Sequence, residues 1–302
     1  MDPNLDKSQK IFFSIIVPTY NRAAFIQETI SSFLKQTYPY FELIIVDDGS
    51  SDNTRELINS IPDTRIKYFR KENGERGAAR NFGAQMANGD YINYFDSDDI
   101  AYPNHLELAA KAIMELKNPM IFHLGFEMKN ELGKLIYKSK AQKGIGNSAI
   151  LKVNYINPNP LFVHQHTLAE VVYNKDRDLA GTEDWLYHLQ LAARYKLYSY
   201  DEILTSCMIQ HNERSMNTYS GDAVLKRSEL LIYYLKQDEQ FIAKCGNDLK
   251  AISAEMHGLA ALHFVLEKKK RKAIKMLLKS IWLSPVIIYK RRTLAVIKYL
   301  FI

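Results

Sequence analysis

Two short apolar runs constrain the fold more than any other feature of the sequence: residues 11–17 (IFFSIIV) and 41–46 (FELIIV), each stopped by a turn signal. The first ends at Pro18 and the second at Asp47-Asp48-Gly49-Ser50. Runs of this length without polar alternation suit strands covered on both faces, which are usually parallel. Parallel neighbours need a crossover, and residues 23–36 supply one, with Phe25, Ile26, Ile30, Phe33 and Leu34 at helical spacing. The result is a βαβ unit, which commits the chain to an open sheet with helices on its faces.

The alternation continues. Residues 52–61 predict a helix, 65–69 a strand, 77–87 a helix, and 91–95 a strand closed by Asp96, Asp98 and Asp99. A helix over 106–116 and a strand over 120–126 follow; residues 127–160 read as strands and loops, and helical periodicity returns at 185–193. From residue 223 it dominates, apart from a break at Ser284-Pro285. The expected fold class is α/β: a Rossmann-like, mostly parallel sheet with helices on both faces over residues 1–220, and a helical C-terminal extension over 221–302.

Composition narrows the function. Cys207 and Cys245 cannot staple 302 residues and form no metal or redox pair, so a reducing cytoplasm is the expected compartment. Residues 1–10 lack the pattern of a secretory signal, and the apolar run 286–302 is interrupted by Lys290, Arg291, Arg292 and Lys298, so no membrane span is expected. Residues 268–302 hold eight Lys, three Arg and no acid; this +11 segment leaves −5 for the remainder of a chain whose total is +6. A nucleic-acid partner for the body is therefore not expected. The run Lys268–Lys272 with Ile274, Leu277, Leu278, Ile281 and Trp282 reads either as an interfacial helix on an anionic membrane surface or as a cap packed on the domain.

Three polar loops follow three predicted strands and so converge on one rim of the sheet, where open α/β folds bind ligands. Asp96-Ser97-Asp98 places two acids on one side of extended backbone, within reach of one hard cation, although a solvated acidic loop has the same pattern. In Asp47–Asp52, Asp52 can cap a helix and leave Asp48 to accept from a base or ribose. Pro18-Thr19-Tyr20-Asn21-Arg22 offers a phenol, an amide and a guanidinium for a base and a phosphate.

Ser14–Arg22 (SIIVPTYNR), Ile45–Asp52 (IVDDGSSD), Gly77–Asn81 (GAARN) and Gly89–Asp99 (GDYINYFDSDD) occur in this order and together resemble the inverting family-two glycosyltransferases. Gly181-Thr-Glu-Asp-Trp185 resembles that family's downstream acidic motif, extending the likeness to about residue 215. The resemblance implies the A-type glycosyltransferase fold and metal-dependent inverting transfer from a UDP-sugar, with Mn²⁺ or Mg²⁺, to a glycan or lipid-linked glycan acceptor in surface polysaccharide synthesis. The enzyme would be a hexosyl- or N-acetylhexosaminyltransferase, cytoplasmic, and, if the basic tail is interfacial, peripheral on the inner face of the cell membrane.

Carried over by position, Asp48 would bind the uracil edge, Asp96 the ribose side or the metal through water, and Asp98 the metal directly. Tyr20 and Arg22 would line the nucleotide pocket beside Thr19, with Pro18, Asp47 and Ser97 in the same donor-binding motifs, and Arg80 would face the nucleotide or sugar. Asp184 would be the catalytic base, because inversion needs one carboxylate to take the acceptor's proton. Glu183 would orient the acceptor or begin the helix. His211 would bind metal and diphosphate, with Arg214 as its substitute; His164 and His166 would be structural or face the acceptor. A sugar-nucleotide nucleotidyltransferase would want a Gly-rich basic loop after the first strand, and a degenerate binding homologue need not keep Asp96, Asp98 and Asp184.

Overall fold

The computed structural model describes residues 10–139, 143–211 and 220–301. They form two compact units that interleave along the sequence: the first takes residues up to 145, 156–175 and 196–210, and the second takes 146–155, 176–195 and 211 onward.

In the first unit the chain runs β1 (Phe13–Thr19), α1 (Ala23–Leu34), β2 (Phe41–Asp47), α2 (Thr54–Asn59), β3 (Ile66–Arg70), α3 (Glu75–Gln85) and β4 (Tyr91–Tyr94). It continues through β5 (Ile100–Ala101), α4 (His105–Glu115), β6 (Ile121–Asn130), β7 (Leu135–Lys138) and β8 (Lys143–Ile145). After the second unit's short α5 (Asn147–Ile150) comes β9 (Leu161–His164), and after its α6 (Glu183–Arg194) comes β10 (Leu197–Gln210). One mixed sheet results, ordered β3-β2-β1-β4-β9-β6-β10-β5, with β7 on β6 and β8 on β10.

The apolar runs are apolar because both faces are covered. Phe13, Ile15 and Val17 of β1 join Phe41, Leu43 and Ile45 of β2 under Ile26, Ile30 and Phe33 of α1, Ile58 of α2 and Leu106 of α4. Ile16 and Val46 point the other way, against α3: a Cβ on Gly83 would stand 2.5 Å from Ile16 and 3.0 Å from Val46. Glycine there lets α3 descend onto the sheet. The polar exceptions are paired. Glu42 is buried, accepting from Ser14 Oγ (2.5 Å), Asn88 N (2.7 Å) and Lys67 Nζ (2.5 Å). Burial pushes its carboxyl up, but these donors hold it below the usual range.

β1 is parallel to β2 and β4, and β2 to β3, as the crossovers require. β9 then enters antiparallel between β4 and β6. The 14-residue β10, parallel to β6, was not anticipated: its pairing shifts register between Tyr200 and Leu204 and again before Ser206, which breaks the period-two pattern. β9 ends at His164. Residues 165–169 form a 3₁₀ turn in which His166 N donates to His164 Nδ1 at 3.2 Å.

The second unit is helical: α6 is followed by α7 (Gly221–Gln237), α8 (Glu239–Cys245), α9 (Leu249–Leu266), α10 (Lys270–Leu283) and α11 (Arg291–Leu300). The expected break at Ser284-Pro285 is present, as the 3₁₀ turn Pro285–Tyr289. α9 is central, packed against α7, α10 and α11, and is buried on successive positions from Ala254 to Gly258. Asp238 caps α8 through Phe241 N (3.0 Å) and takes both guanidinium nitrogens of Arg194 from α6 (2.8 and 3.0 Å).

Two core histidines of the first unit set a pH response. Burial drives His105 down to about 3 and His123 to about 4. Both are neutral when folded, whereas an unfolded histidine titrates near ~6.5. Their contribution is therefore complete above that pH and is lost as pH falls, each at about 1.4 kcal/mol per pH unit. Urea midpoints measured from neutral pH down to about 5 should fall, and His123→Gln should flatten that slope.

Candidate active site

The carboxyl ends of β1, β2 and β4 carry the three predicted loops, and hydrogen bonds join the first two. Asp48 N donates to Thr19 O (2.8 Å), Asn21 N to Ser50 Oγ (2.9 Å) and Ser51 N to Asn21 Oδ1 (2.8 Å). Asn21 has φ 50°, a left-handed conformation that asparagine tolerates. Asp52 serves two helices: Oδ1 accepts from Thr54 Oγ1 (2.6 Å) and N (3.2 Å) at α2, and Oδ2 from Ala23 N (3.1 Å) at α1. The formal N-cap of α2 is Asn53, which makes no side-chain cap bond. Burial opposes ionisation of Asp52, and these donors outweigh it, lowering its pKa.

Asp48 is held by donors of its own unit. It is buried; Oδ1 takes Lys71 Nζ (2.7 Å) and Gly74 N (3.0 Å), and Oδ2 takes Gly74 N (3.2 Å). Gly49, at φ +89°, permits the turn, and a Cβ there would meet Asn73 N at 3.2 Å. Asp47 is fully buried, and its carboxylate is used within the fold by Ser50 N (2.7 Å) and Tyr68 OH (2.6 Å). Burial and that neighbouring carboxylate raise the Tyr68 phenol, so it stays a donor. Pro18 is half-buried, Thr19 is buried with its hydroxyl unpaired among the described residues, and Tyr20 is exposed.

The third loop gathers acid. One carboxylate oxygen each from Asp96, Asp98 and Asp99 lies within 4.8 Å of the others. Asp99 is fully buried, accepting from Asn159 Nδ2 (2.7 Å) and Ile209 N (2.8 Å), while Asp96 and Asp98 are partly exposed. Two guanidiniums offset part of the charge: Arg80 Nη2 is 3.1 Å from Asp96 Oδ1, and Arg22 Nε is 4.0 Å from Asp98 Oδ2. Arg80 is a buried residue of α3, its guanidinium carbon 4.8 Å from the ring centre of Tyr173. Its inward position follows from close packing: a Cβ on Gly77 would stand 2.4 Å from Asn174 O. Ser97 is buried between the acids.

The donor set fits a hard divalent cation. Asp99 is committed to the scaffold, leaving Asp96 and Asp98 as partly exposed carboxylates, the pattern of an ion that completes its shell with water and phosphate oxygens.

The remaining predicted residues belong to the second unit. Asp184, in the first turn of α6, accepts from Trp185 N (2.7 Å) and Asn154 Nδ2 (3.3 Å) and is partly exposed. Glu183 is buried and accepts from Gly181 N at 2.5 Å, so it shapes the turn into α6. His211 is buried; Arg214 lies outside the described residues. Sequence reasoning missed Lys71, Asn159 and Tyr173. Asn159 was visible only within the loop signal Asn157-Pro-Asn-Pro160.

The family described as "Glycosyl transferase family 2" matches residues 14–145. An uncharacterized glycosyltransferase of Rickettsia felis is 44% identical over 124 residues, 41% of this chain and 20% of that protein. The Escherichia coli UDP-Glc:alpha-D-GlcNAc-diphosphoundecaprenol beta-1,3-glucosyltransferase WfgD is 41% identical over 141 residues, 46% of this chain and 54% of that one. The chain thus spans a fifth to about half the length of these curated relatives. The crystal structure of S. aureus TarS 1-349 with UDP-GlcNAc superposes with a TM-score of 0.61 at 19% identity, covering 90% of this chain and 91% of that one, which shows a shared fold.

Asn159 joins the site to its support, donating to Asp99, accepting from Asp96 N (2.9 Å) and bonding Asn93 through its carbonyl (2.7 Å). Asn159→Ala strands two of these buried groups and should cost about 2–4 kcal/mol in urea unfolding.

Proposed function

The chain belongs to glycosyl transferase family 2, and from that premise we propose that it transfers a sugar from a UDP-sugar to a glycan or lipid-linked glycan acceptor, inverting the anomeric carbon. The observation that carries this reading is the Asp96–Asp98 pair at the end of β4, partly exposed, backed by Arg80 and Arg22. WfgD's own name, a UDP-glucose donor and a lipid-diphosphate acceptor, supports the choice of substrates.

Asp98 and Asp96 would hold Mg²⁺ or Mn²⁺, with His211 as a proposed further ligand. Bound there, the ion supplies positive charge to the departing diphosphate. Arg80 holds Asp96 from beneath, and Arg22 lies beside Asp98, a fixed cation suited to phosphate oxygens. On the β1 and β2 loops we assign the nucleotide to Thr19, Tyr20 and Asp48, whose carboxylate Lys71 and Gly74 hold in place for a base edge. Asp184 is the proposed base: it takes the acceptor hydroxyl's proton as that oxygen bonds the anomeric carbon. The bond to the β-phosphate oxygen breaks and UDP leaves with the electron pair. No second carboxylate is needed as an acid, because the leaving group departs as an anion.

Asp98→Ala should abolish UDP-sugar turnover. Asp184→Asn should keep UDP binding, read by calorimetry, while transfer falls by roughly 10²–10⁴-fold. An active Asp184→Asn enzyme would remove the base assignment. UDP binding that never leads to turnover with any acceptor would make the protein a binding homologue.

A further inference from the structure

No helix among the described residues is long and apolar enough to cross a membrane, yet the C-terminal segment turns large apolar side chains outward. The structure separates two sets that the sequence merges. Ala273, Met276 and Leu277 of α10 are buried, with α10 packed along α9 and Ser280 Oγ donating to Ala254 O at 2.7 Å. This side of α10 packs on its own unit. The second set lies on the other side of α10, with Ile274 and Leu278 exposed, and continues past its end: Trp282 is 80% exposed, Val286 68% and Tyr289 86%. On α11 and its C-cap, Leu294 (59%), Ile297 (38%) and Phe301 (87%) recur at helical spacing and so share one face.

These side chains are held outward. Ile287 and Val296 are buried, Thr293 Oγ1 donates to Ile287 O at 2.7 Å, and buried Glu255 of α9 pairs with Lys290 and Arg292. The cations around them are available: Lys275, Lys279, Arg291 and Lys298 make no ion pair among the described residues. Arg291 and Lys298 stand three and four residues from Leu294, on the same side of α11.

Charge decides the occupant. A second copy would set the unpaired cations of this segment against their own counterparts, and a nucleic acid would answer the charge while leaving Trp282, Tyr289 and Phe301 in water. An anionic bilayer surface satisfies both, since amphipathic aromatic rings and long cationic side chains favour the headgroup boundary. We propose that the edge formed by Trp282, the Pro285–Tyr289 turn and the outer face of α11 docks on anionic lipid. Trp282, Val286, Tyr289 and Phe301 enter the boundary, and Arg291 and Lys298 meet lipid phosphates. This inference rests on surface chemistry and stands apart from the sugar-transfer reading.

The two tryptophans make the test direct, because Trp185 is 5% exposed and Trp282 80%. The full chain is floated with phosphatidylcholine vesicles with and without phosphatidylglycerol, and tryptophan emission is recorded. Flotation and a blue shift only with phosphatidylglycerol, both weakened by salt, are expected. Trp282→Ser with Tyr289→Ser should lower vesicle affinity at least about tenfold, and Arg291→Gln or Lys298→Gln about fivefold each. Trp282→Phe should keep flotation and lose the shift. Absence of flotation, equal binding to neutral vesicles, or wild-type flotation by the double serine variant overturns the proposal. So does self-association in solution that Trp282→Ser abolishes.

Discussion

A fully buried carboxylate holds the centre of the first unit together. Asp99 receives Asn159 before β9 and Ile209 on β10 through its side chain, while its carbonyl accepts from Thr29 of α1 at 2.8 Å. A carboxylate without water is tolerated only when its lone pairs are met, and here donors from two separate stretches of chain meet them while Thr29 holds the backbone of the same residue. Asp96 and Asp98 ride on the loop that Asp99 pins. One acid of the motif gives up its chemistry to the scaffold, and the other two acquire a fixed position.

Electrostatics completes the arrangement. Three carboxylates within 4.8 Å repel one another, and the two guanidiniums reduce that repulsion without cancelling it. The excess negative charge is what a divalent ion needs. Arg80 could not reach this position from a helix kept at ordinary distance; the glycines at 77 and 83 bring α3 down and carry the arginine inward. Small residues far from any ligand thus set the charge at the candidate site.

The second unit follows a different logic. α9 is enclosed by its neighbours and carries a buried acid, Glu255, that fastens the last helix through Lys290 and Arg292. With the buried side of α11 anchored by Val296 and Thr293, the opposite side is left to solvent with its aromatic and cationic residues. The lysine run at 268–272 and the apolar periodicity of α10 read as one amphipathic device in sequence. In three dimensions only one side of α10 packs inward, and the exposed apolar surface runs along its other side through Ile274 and Leu278 to Trp282.

The βαβ start, the crossovers through β4, the break at Ser284-Pro285 and the acids at strand ends were legible in sequence, because each rests on local periodicity or a turn residue. So was the family, through motifs that lie within contiguous stretches. What sequence could not carry were pairings between distant segments: β9 entering antiparallel, β10 with its register shifts, Lys71 and Gly74 on Asp48, Tyr173 against Arg80. It also could not say which acid of Asp96, Asp98 and Asp99 is buried. Residue type and spacing determine what a side chain is able to do; only packing decides which of its partners reach it and how much water remains.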